Sequence, residues 1–241
     1  MNTNRKTAII VGVLFLLGFA GVFVAVVVNP ILEDPNYLIK ISENKILVVV
    51  GAFSLLIMAF ACAGIAIGLY PILKKHNESL ALGAVGFRII ENVFQIVAAL
   101  GLLLLLIISQ EYVKADALAA SAFQTVGATL LGVKILAPML AGIGFCLGAL
   151  MYYYVFYQSK LIPRWLSGWG IVAILLHLTS VFLTMFLQID PFSGSPIALL
   201  SLPIFIQELT LAAWLIVKGF NPSVIASRAA KTATNELLSA A

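Results

Sequence analysis

The sequence predicts an all-α fold: a polytopic membrane helix bundle with six transmembrane helices and both termini in the cytoplasm. Of the 241 residues, 62% are hydrophobic and 10% are charged, whereas soluble domains are about 45–50% apolar and about 25% charged. The mean hydropathy is +1.11, and six apolar runs each supply the roughly 20 residues that one crossing needs. This composition excludes a large extramembrane domain, so we expect one membrane domain over residues 1–241.

The apolar runs and their polar ends define the expected crossings. The predicted spans are 7–28, 46–70, 81–108, 125–154, 166–187 and 197–217, and a cytoplasmic tail follows over 222–241. The first run is longer than the about 7–15 apolar residues of a signal-peptide core, and no small-residue cleavage site precedes Asn29 and Pro30. We therefore interpret it as the first transmembrane helix.

The fourth span is the least sharply bounded, because residues 117–158 contain no strong break. A helix of that length, at about 1.5 Å per residue, is longer than one bilayer requires. If the span ends near Tyr154, Lys134 lies about 30 Å away at the outer boundary, where its ammonium would snorkel to water. We expect the residues before Lys134 to form an external helical cap or a re-entrant piece, and Pro138 to kink the helix.

The orientation follows from the distribution of Lys and Arg, which are retained on the cytoplasmic side. With the N-terminus inside, nine basic residues flank the spans on the inner side and three on the outer side. The inner residues are Arg5, Lys6, Lys74, Lys75, Lys160, Arg164, Lys218, Arg228 and Lys231, and the outer ones are Lys40, Lys45 and Lys114. Both termini are therefore expected in the cytoplasm and the protein in the cytoplasmic membrane.

Aromatic residues cluster around the loop between the fourth and fifth spans, as is typical of an aromatic belt at a membrane interface. They are Tyr152, Tyr153, Tyr154, Phe156, Tyr157, Trp165 and Trp169. We interpret this cluster as an interfacial anchor.

Small residues and one proline predict details of helix packing. Gly64 and Gly68 in the second span, and Gly144 and Gly148 in the fourth, have the Gly-x-x-x-Gly spacing that lets helices approach closely. Pro203 leaves the carbonyl near residue 199 without its helical partner, which predicts a local opening or kink of the sixth helix.

The third span carries a polar face within an otherwise apolar helix. The residues of this face are Arg88, Glu91, Asn92 and Gln95. Their spacing of i, i+3, i+4 and i+7 places all four on one side of an α-helix. A charge at the centre of a membrane helix costs about 2.5–3.5 kcal/mol on insertion scales, so we expect this face to lie inside the protein and its charges to be paired.

The fifth and sixth spans bring further polar groups to a similar depth, namely His177, Gln207 and Glu208. Counted from the cytoplasmic ends of the spans, Arg88 lies about 10 Å deep, Glu208 about 14 Å, Glu91 about 15 Å and His177 about 17 Å. We therefore expect a buried cluster between the third, fifth and sixth spans, in which Arg88 neutralises Glu91, Glu208 or both.

Such a cluster is consistent with two different classes of function. The leading hypothesis is an integral membrane protein that binds a small polar or amphiphilic ligand, or relays ions or protons. The residues of this site would be Arg88, Glu91, Asn92, Gln95, His177, Gln207 and Glu208. The alternative is a structural or interaction protein in which the cluster only fixes helix packing. An intramembrane enzyme acting on lipid is a third hypothesis, supported by a carboxylate pair alone.

Catalytic and cofactor motifs are absent from the sequence, which contains no H-E-x-x-H, G-x-S-x-G, Walker A or G-x-G-x-x-G pattern. The two cysteines lie in apolar runs, which argues against a disulfide framework or a cysteine-based metal site. The basic residues form no stripe, which argues against a nucleic-acid partner. We expect no catalytic residues, cofactor or metal, with the lipid bilayer as the main partner and a small molecule, ion or lipid as the ligand.

Four separated segments, taken in order, resemble the domain-of-unknown-function 4386 family of prokaryotic membrane proteins. They are Tyr70-Pro71-Ile72-Leu73-Lys74-Lys75-His76, Gly86-Phe87-Arg88-Ile89-Ile90-Glu91, Leu161-Ile162-Pro163-Arg164-Trp165-Leu166, and Gln207-Glu208-Leu209 with Trp214-Leu215-Ile216-Val217-Lys218-Gly219-Phe220-Asn221. The resemblance covers nearly the whole chain. It implies a multi-pass membrane protein and carries over no catalytic residues.

Overall fold

The structure is a computed structural model that describes residues 3–187 and 197–227. Its elements, in chain order, are α1 (Thr3–Val26), α2 (Asn29–Leu32), α3 (Tyr37–Glu43), α4 (Lys45–Leu73), α5 (Glu78–Tyr112), α6 (Ala117–Ser159), α7 (Arg164–Leu187), a 3₁₀ turn (Ala198–Ser201) and α8 (Leu202–Val217). Over these described residues there is no strand, and six helical stretches are long and apolar enough to cross a membrane. The prediction of an all-α fold with six spans is confirmed.

The helices group into two compact units by their contacts. Of the described residues, unit 1 comprises 3–15, 64–88, 145–187 and 197–227, and unit 2 comprises 16–63 and 89–144. The helices α1, α4, α5 and α6 each contribute residues to both units. Of the predicted tail, residues 222–227 are helical, and residues 228–241 lie outside the described part of the chain.

Polar caps, rather than the limits of the apolar runs, determine where two of the long helices begin. Asn77 Oδ1 accepts a hydrogen bond from the Leu80 N–H at 3.0 Å, so α5 begins three residues before the predicted span. Asp116 Oδ1 accepts one from the Ala119 N–H at 2.9 Å at the start of α6. Each carboxyl or amide oxygen satisfies a backbone donor that the first helical turn leaves without a partner.

The fourth predicted span, 125–154, lies inside the single 43-residue helix α6. At about 1.5 Å per residue this helix is about 65 Å long. The residues before Lys134 continue the helix and do not form a re-entrant piece. Lys134, predicted to snorkel to water, is half-buried, and its Nζ donates a hydrogen bond to Asn29 Oδ1 at 3.1 Å.

The sixth predicted span begins with the 3₁₀ turn, and its α-helix starts at Leu202. Pro203 therefore occupies the first turn of α8, where a missing N–H costs no intrahelical bond. The Leu199 carbonyl, expected to lack a partner, accepts the Leu202 N–H through the tighter turn. Pro203 starts the α-helical part of this span, so the expectation that the carbonyl near residue 199 lacks a partner is wrong.

The aromatic residues predicted as an interfacial belt divide between the core and the surface. Tyr152, Tyr153 and Phe156 are completely buried in the core of unit 1. The exposed members are Tyr154, Tyr157 and Trp165, at 42–57% of their surface. The anchor interpretation is therefore wrong for the first three, which occupy the side of α6 that faces its neighbours within the unit.

Glycines make close helix contacts inside unit 1, as their spacing predicted. A Cβ added at Gly64 would lie 3.0 Å from Leu14 Cδ1, and one at Gly68 would lie 3.0 Å from Val11 Cγ2. Both contacts join α4 to α1. Because an ordinary side chain would not fit without displacing these neighbours, the absence of a Cβ permits the close approach.

Residues near the end of α8 join three parts of unit 1. The Asn221 N–H donates to the Leu161 carbonyl at 2.8 Å, and the Phe220 ring packs against Phe156 at a centroid distance of 6.2 Å. Gly219 ends the helix with a φ of +75°, a conformation that glycine adopts without strain. The Arg5 guanidinium donates to the carbonyls of the last helical residues, which are Leu215, Ile216 and Val217.

Candidate functional site

The polar face of α5 is turned inward and its apolar face outward. Arg88, Glu91 and Asn92 expose 1%, 4% and 7% of their surfaces, and Gln95 is half-buried. The opposite side of the helix carries Ile89, Ile90, Val93 and Ile96, which are 38–54% exposed. This arrangement keeps the charged groups away from lipid, as the cost of charge in a membrane requires.

Arg88 is enclosed by a ring and a glycine of α6. Its guanidinium carbon lies 4.9 Å from the centroid of the Phe145 ring, within the range of a cation–π contact. A Cβ at Gly148 would lie 3.0 Å from Arg88 Cγ and 3.2 Å from the Ala84 carbonyl oxygen. Gly148 therefore provides the space that the arginine stem occupies, which gives the predicted small-residue spacing a specific purpose.

His177 of α7 shares the Phe145 ring with Arg88. The two rings meet edge to face, with centroids 5.6 Å apart at 74°. On its other side, His177 Nδ1 and Ser201 Oγ form a hydrogen bond of 2.8 Å. Ser201 Oγ in turn donates to Ser180 Oγ at 3.4 Å, and Ser180 Oγ donates to the Ile197 carbonyl at 3.0 Å. These hydrogen bonds connect the imidazole of α7 to Ser201 in the 3₁₀ turn, and Ser201 to Ser180 of α7.

Gln207 of α8 is completely buried, and both ends of its amide bind protein groups. The Tyr153 hydroxyl donates to Gln207 Oε1, and Gln207 Nε2 donates to the Leu166 carbonyl at 3.0 Å. The side chain therefore links α6, α7 and α8. Although the sequence indicated a ligand-binding role, these contacts give Gln207 a structural one.

Glu208 is half-buried beside the same part of α6. The Tyr152 hydroxyl donates to Glu208 Oε1 at 3.3 Å, and the rings of Tyr152 and Tyr153 lie 4.6 Å apart. Tyr152 follows Phe145 at i+7 and Gly148 at i+4, so the three residues lie along one side of α6. That side contacts Arg88 through Phe145 and Gly148, and contacts Glu208 through Tyr152.

The structure places four of the seven predicted site residues in unit 1: Arg88, His177, Gln207 and Glu208. The other three, Glu91, Asn92 and Gln95, belong to unit 2. Asn92 Oδ1 is buried and accepts no hydrogen bond from the residues that the structure describes. Within those residues no group of three or more His, Cys, Asp or Glu side chains could hold a metal ion.

The sequence interpretation missed the aromatic residues of the site. Phe145 and Tyr152 contact three of the predicted site residues, but Phe145 was not singled out and Tyr152 was assigned to the membrane interface. The available signal was the spacing of these rings around Gly148, which places bulky and small residues on one side of a helix. Ser201 was missed because its contact with His177 spans 24 residues of sequence.

Together, the six apolar helices and the inward-facing charges define a multi-pass α-helical membrane protein. A family model described as "Domain of unknown function (DUF4386)" matches residues 10–219. The chain belongs to this family, which confirms the resemblance of its separated segments. No curated protein and no solved structure matches the chain.

Proposed function

We propose that this protein binds a small amphiphilic ligand with an anionic group inside the cell membrane, at Arg88 and the polar side chains around it. The observation that carries the proposal is the burial of the Arg88 guanidinium, 1% exposed, within an apolar membrane helix. A charge in this position is costly, and such residues commonly mark binding sites or ion pathways.

The chemistry of the neighbouring groups suits this role. A guanidinium is planar and binds carboxylate or phosphate through two parallel hydrogen bonds. The Phe145 ring stabilises the cation by cation–π attraction.

An alternative form of the proposal is a relay of ions or protons. It is supported by the carboxylate of Glu208, which accepts a hydrogen bond from Tyr152. A hydrogen-bonded carboxylate in a membrane can take up a cation or a proton. The His177, Ser201 and Ser180 side chains form a further hydrogen-bonded chain in unit 1. These groups are the ones that would carry a transferred proton.

Matched amphiphiles test the binding form. Thermal unfolding of the full chain in lipid nanodiscs is measured with octanoate, octyl phosphate and octylammonium at equal concentration. Both anions, and not the cation, are expected to raise the unfolding temperature of the wild type. Arg88→Gln should abolish the response and Arg88→Lys should weaken it, because lysine keeps the charge and loses the planar fork.

The control for this experiment is Lys218→Gln, which removes an exposed cation at the end of α8 and should leave the response unchanged. If Arg88→Gln fails to fold, Arg88→Lys still reports on the site. An equal response to anions and cation in the wild type, or a full anion response in a folded Arg88→Gln protein, would contradict the binding proposal.

The relay form is tested by proton flux into pyranine-loaded proteoliposomes after a pH jump. Glu208→Gln and Glu91→Gln remove the titrating carboxyls with little change of shape. Flux in the wild type that falls in either variant supports a relay. Wild-type flux equal to that of protein-free vesicles would exclude it.

A structural role is the second candidate, favoured by the packing of the Arg88 stem on Gly148. Replacing a buried charged group by apolar side chains of similar volume is often neutral or stabilising. If the cluster only fixes packing, the combined Arg88→Met, Glu91→Leu and Glu208→Leu variant should unfold at the wild-type temperature or above. This outcome, together with no anion response in the wild type, would favour the structural role.

A further inference from the structure

An apolar crevice of about 280 Å³ lies in unit 1 where α5, α6 and α7 meet. Its walls are formed by Leu80, Leu150, Met151, Tyr154 and Ile171. All these side chains are partly or largely exposed, so the crevice opens on the outer side of the unit. Since the three helices are long and apolar enough to span a membrane, we expect lipid around these residues.

A cationic residue lies beyond one end of the crevice, on the same side of α7. Arg164, Gly168 and Ile171 are spaced i, i+4 and i+7, which places them along one side of the helix. Arg164 is therefore about two turns, or about 10 Å, from the crevice wall. Its exposed guanidinium lies over the Tyr157 ring at 5.4 Å from the centroid.

The α6 side of the crevice carries a matching polar end. Gln158 Nε2 donates to the hydroxyl of Tyr154, the residue that lines the crevice, at 2.6 Å. Lys160 is exposed and follows directly on α6. Residues 150–171 contain these two cations, Lys160 and Arg164, and no acidic residue.

The nearest acidic residue along the α5 wall already has a partner. Glu78 stands two residues before Leu80, and its Oε1 accepts a hydrogen bond from the Tyr70 hydroxyl at 3.4 Å. The Lys74 ammonium lies over the same Tyr70 ring, 5.3 Å from its centroid. The polar end of the crevice therefore combines exposed cations with a carboxylate that is hydrogen-bonded to a tyrosine.

We propose that this crevice is a specific binding site for an anionic phospholipid. One acyl chain occupies the apolar crevice, and the phosphate contacts Arg164 and Lys160 about two helical turns away. The apolar crevice suits an acyl chain, and the basic residues beyond its end suit the headgroup to which that chain is attached. Anionic headgroups are attracted to basic residues next to membrane helices. The exposed Trp165, beside Arg164, suits the headgroup level at which indole rings concentrate.

This site is separate from the proposed Arg88 site, because its walls are different residues and its cations are exposed. The inference therefore goes beyond the proposed function. The ligand of this site must contain both a phosphate and an apolar chain, as a phospholipid does and a water-soluble anion does not.

Tryptophan fluorescence provides a direct readout, because the three tryptophans of the chain lie together at this end of unit 1. The Trp165 ring lies 6.5 Å from Trp169 and 6.5 Å from Trp214. The full chain is reconstituted in phosphatidylcholine vesicles that contain an increasing fraction of brominated phosphatidylglycerol or brominated phosphatidylcholine. Bromine on the acyl chain quenches a nearby indole.

We expect brominated phosphatidylglycerol to quench the wild type at lower mole fraction than brominated phosphatidylcholine. Arg164→Gln should reduce this preference about fivefold, the effect of one basic residue near a membrane surface. The control Lys218→Gln removes an exposed cation at the same end of unit 1 and should keep the preference. Equal quenching of the wild type by both lipids, or equal effects of the two variants, would overturn the proposal.

The crevice itself is tested by filling it. Ile171→Phe should reduce quenching by both brominated lipids at low mole fraction, whereas Val172→Phe, on the neighbouring exposed position, should not. If Ile171→Phe does not fold, Leu80→Phe fills the opposite wall from α5. Wild-type quenching in a folded crevice-filling variant would show that no acyl chain occupies the crevice.

Discussion

Gln207 shows why the role of a buried polar residue depends on its partners. Its position in an apolar span made it a candidate ligand-binding residue, yet its oxygen accepts from Tyr153 and its nitrogen donates to the Leu166 carbonyl. Neither partner is within 40 residues of it in sequence. A buried amide whose oxygen and nitrogen are both hydrogen-bonded to protein groups fixes the packing of the helices that it joins, and it has no free group for a ligand.

Replacing Gln207 should therefore destabilise the protein. In Gln207→Leu the buried Tyr153 hydroxyl loses the Gln207 acceptor and the Leu166 carbonyl loses the Gln207 donor, at an expected cost of about 1–3 kcal/mol. The measurement is the free energy of unfolding in mixed micelles. Thr210→Val is the matched control, because the Thr210 hydroxyl bonds to the Ile206 carbonyl of its own helix.

The double variant Gln207→Leu with Tyr153→Phe separates lost contacts from unsatisfied groups. It removes the hydroxyl that has lost the Gln207 acceptor and should recover part of the lost stability. A Gln207→Leu protein as stable as the Thr210→Val protein would contradict the structural role assigned to this residue.

At the level of the elements, α5 is amphipathic in the sense opposite to a helix of a soluble protein. Arg88, Glu91 and Asn92 face inward, and Ile89, Ile90 and Ile96 face outward. The sequence predicted this face from residue spacing alone. The 3.6-residue helical period places the polar residues on one side of the helix, and the free-energy cost of exposing charge to lipid requires that side to be buried. It could not predict which neighbouring residues enclose Arg88, since Phe145 and Gly148 lie on another helix.

The contact between α5 and α6 depends on the missing side chain at Gly148. In Gly148→Ala the new Cβ meets both the Arg88 stem and the Ala84 carbonyl, so we expect a loss of about 1–3 kcal/mol in the free energy of unfolding. Gly86→Ala is the control on α5, because a Cβ there meets nothing within 4 Å. Removing glycine from an open helical position should instead add about 0.5–1 kcal/mol.

Thermal unfolding of the two variants side by side decides the point. If the unfolding temperature of Gly148→Ala equals or exceeds that of Gly86→Ala, the α5–α6 contact accommodates the added methyl group with little cost in stability. The packing of α6 against Arg88 would then be looser than the distances indicate.

The α1–α8 contact predicts a second effect at the level of the elements. Arg5 donates to three carbonyls at the end of α8, where the helix dipole is negative. Arg5→Gln should therefore lower the free energy of unfolding by about 1–3 kcal/mol. Lys6→Gln removes the same charge from the neighbouring exposed position, so it controls for effects on membrane insertion.

For this pair, insertion efficiency and unfolding are measured on the same preparations. Equal losses in Arg5→Gln and Lys6→Gln would mean that charge near the N-terminus, and not the cap on α8, determines stability.

For the whole molecule, we propose that the six spans place the two termini on the same side of the membrane. We propose the cytoplasmic side, because nine of the twelve flanking basic residues then lie there. A C-terminal green fluorescent protein fusion should fluoresce, and alkaline phosphatase inserted after Lys114 should be active. The opposite pattern would reverse the orientation.

The sequence by itself determined the number of membrane helices, the polar face of α5 and the family of the chain. These properties follow from composition, from the 3.6-residue period and from ordered local motifs, all of which are present along the chain. Only the tertiary structure decided that Tyr152, Tyr153 and Phe156 are core residues, that Pro203 starts a helix, and which groups Gln207 and Arg5 bind. These outcomes depend on contacts between residues far apart in sequence, and a local pattern carries no information about which distant partner will satisfy a polar group or cover a ring.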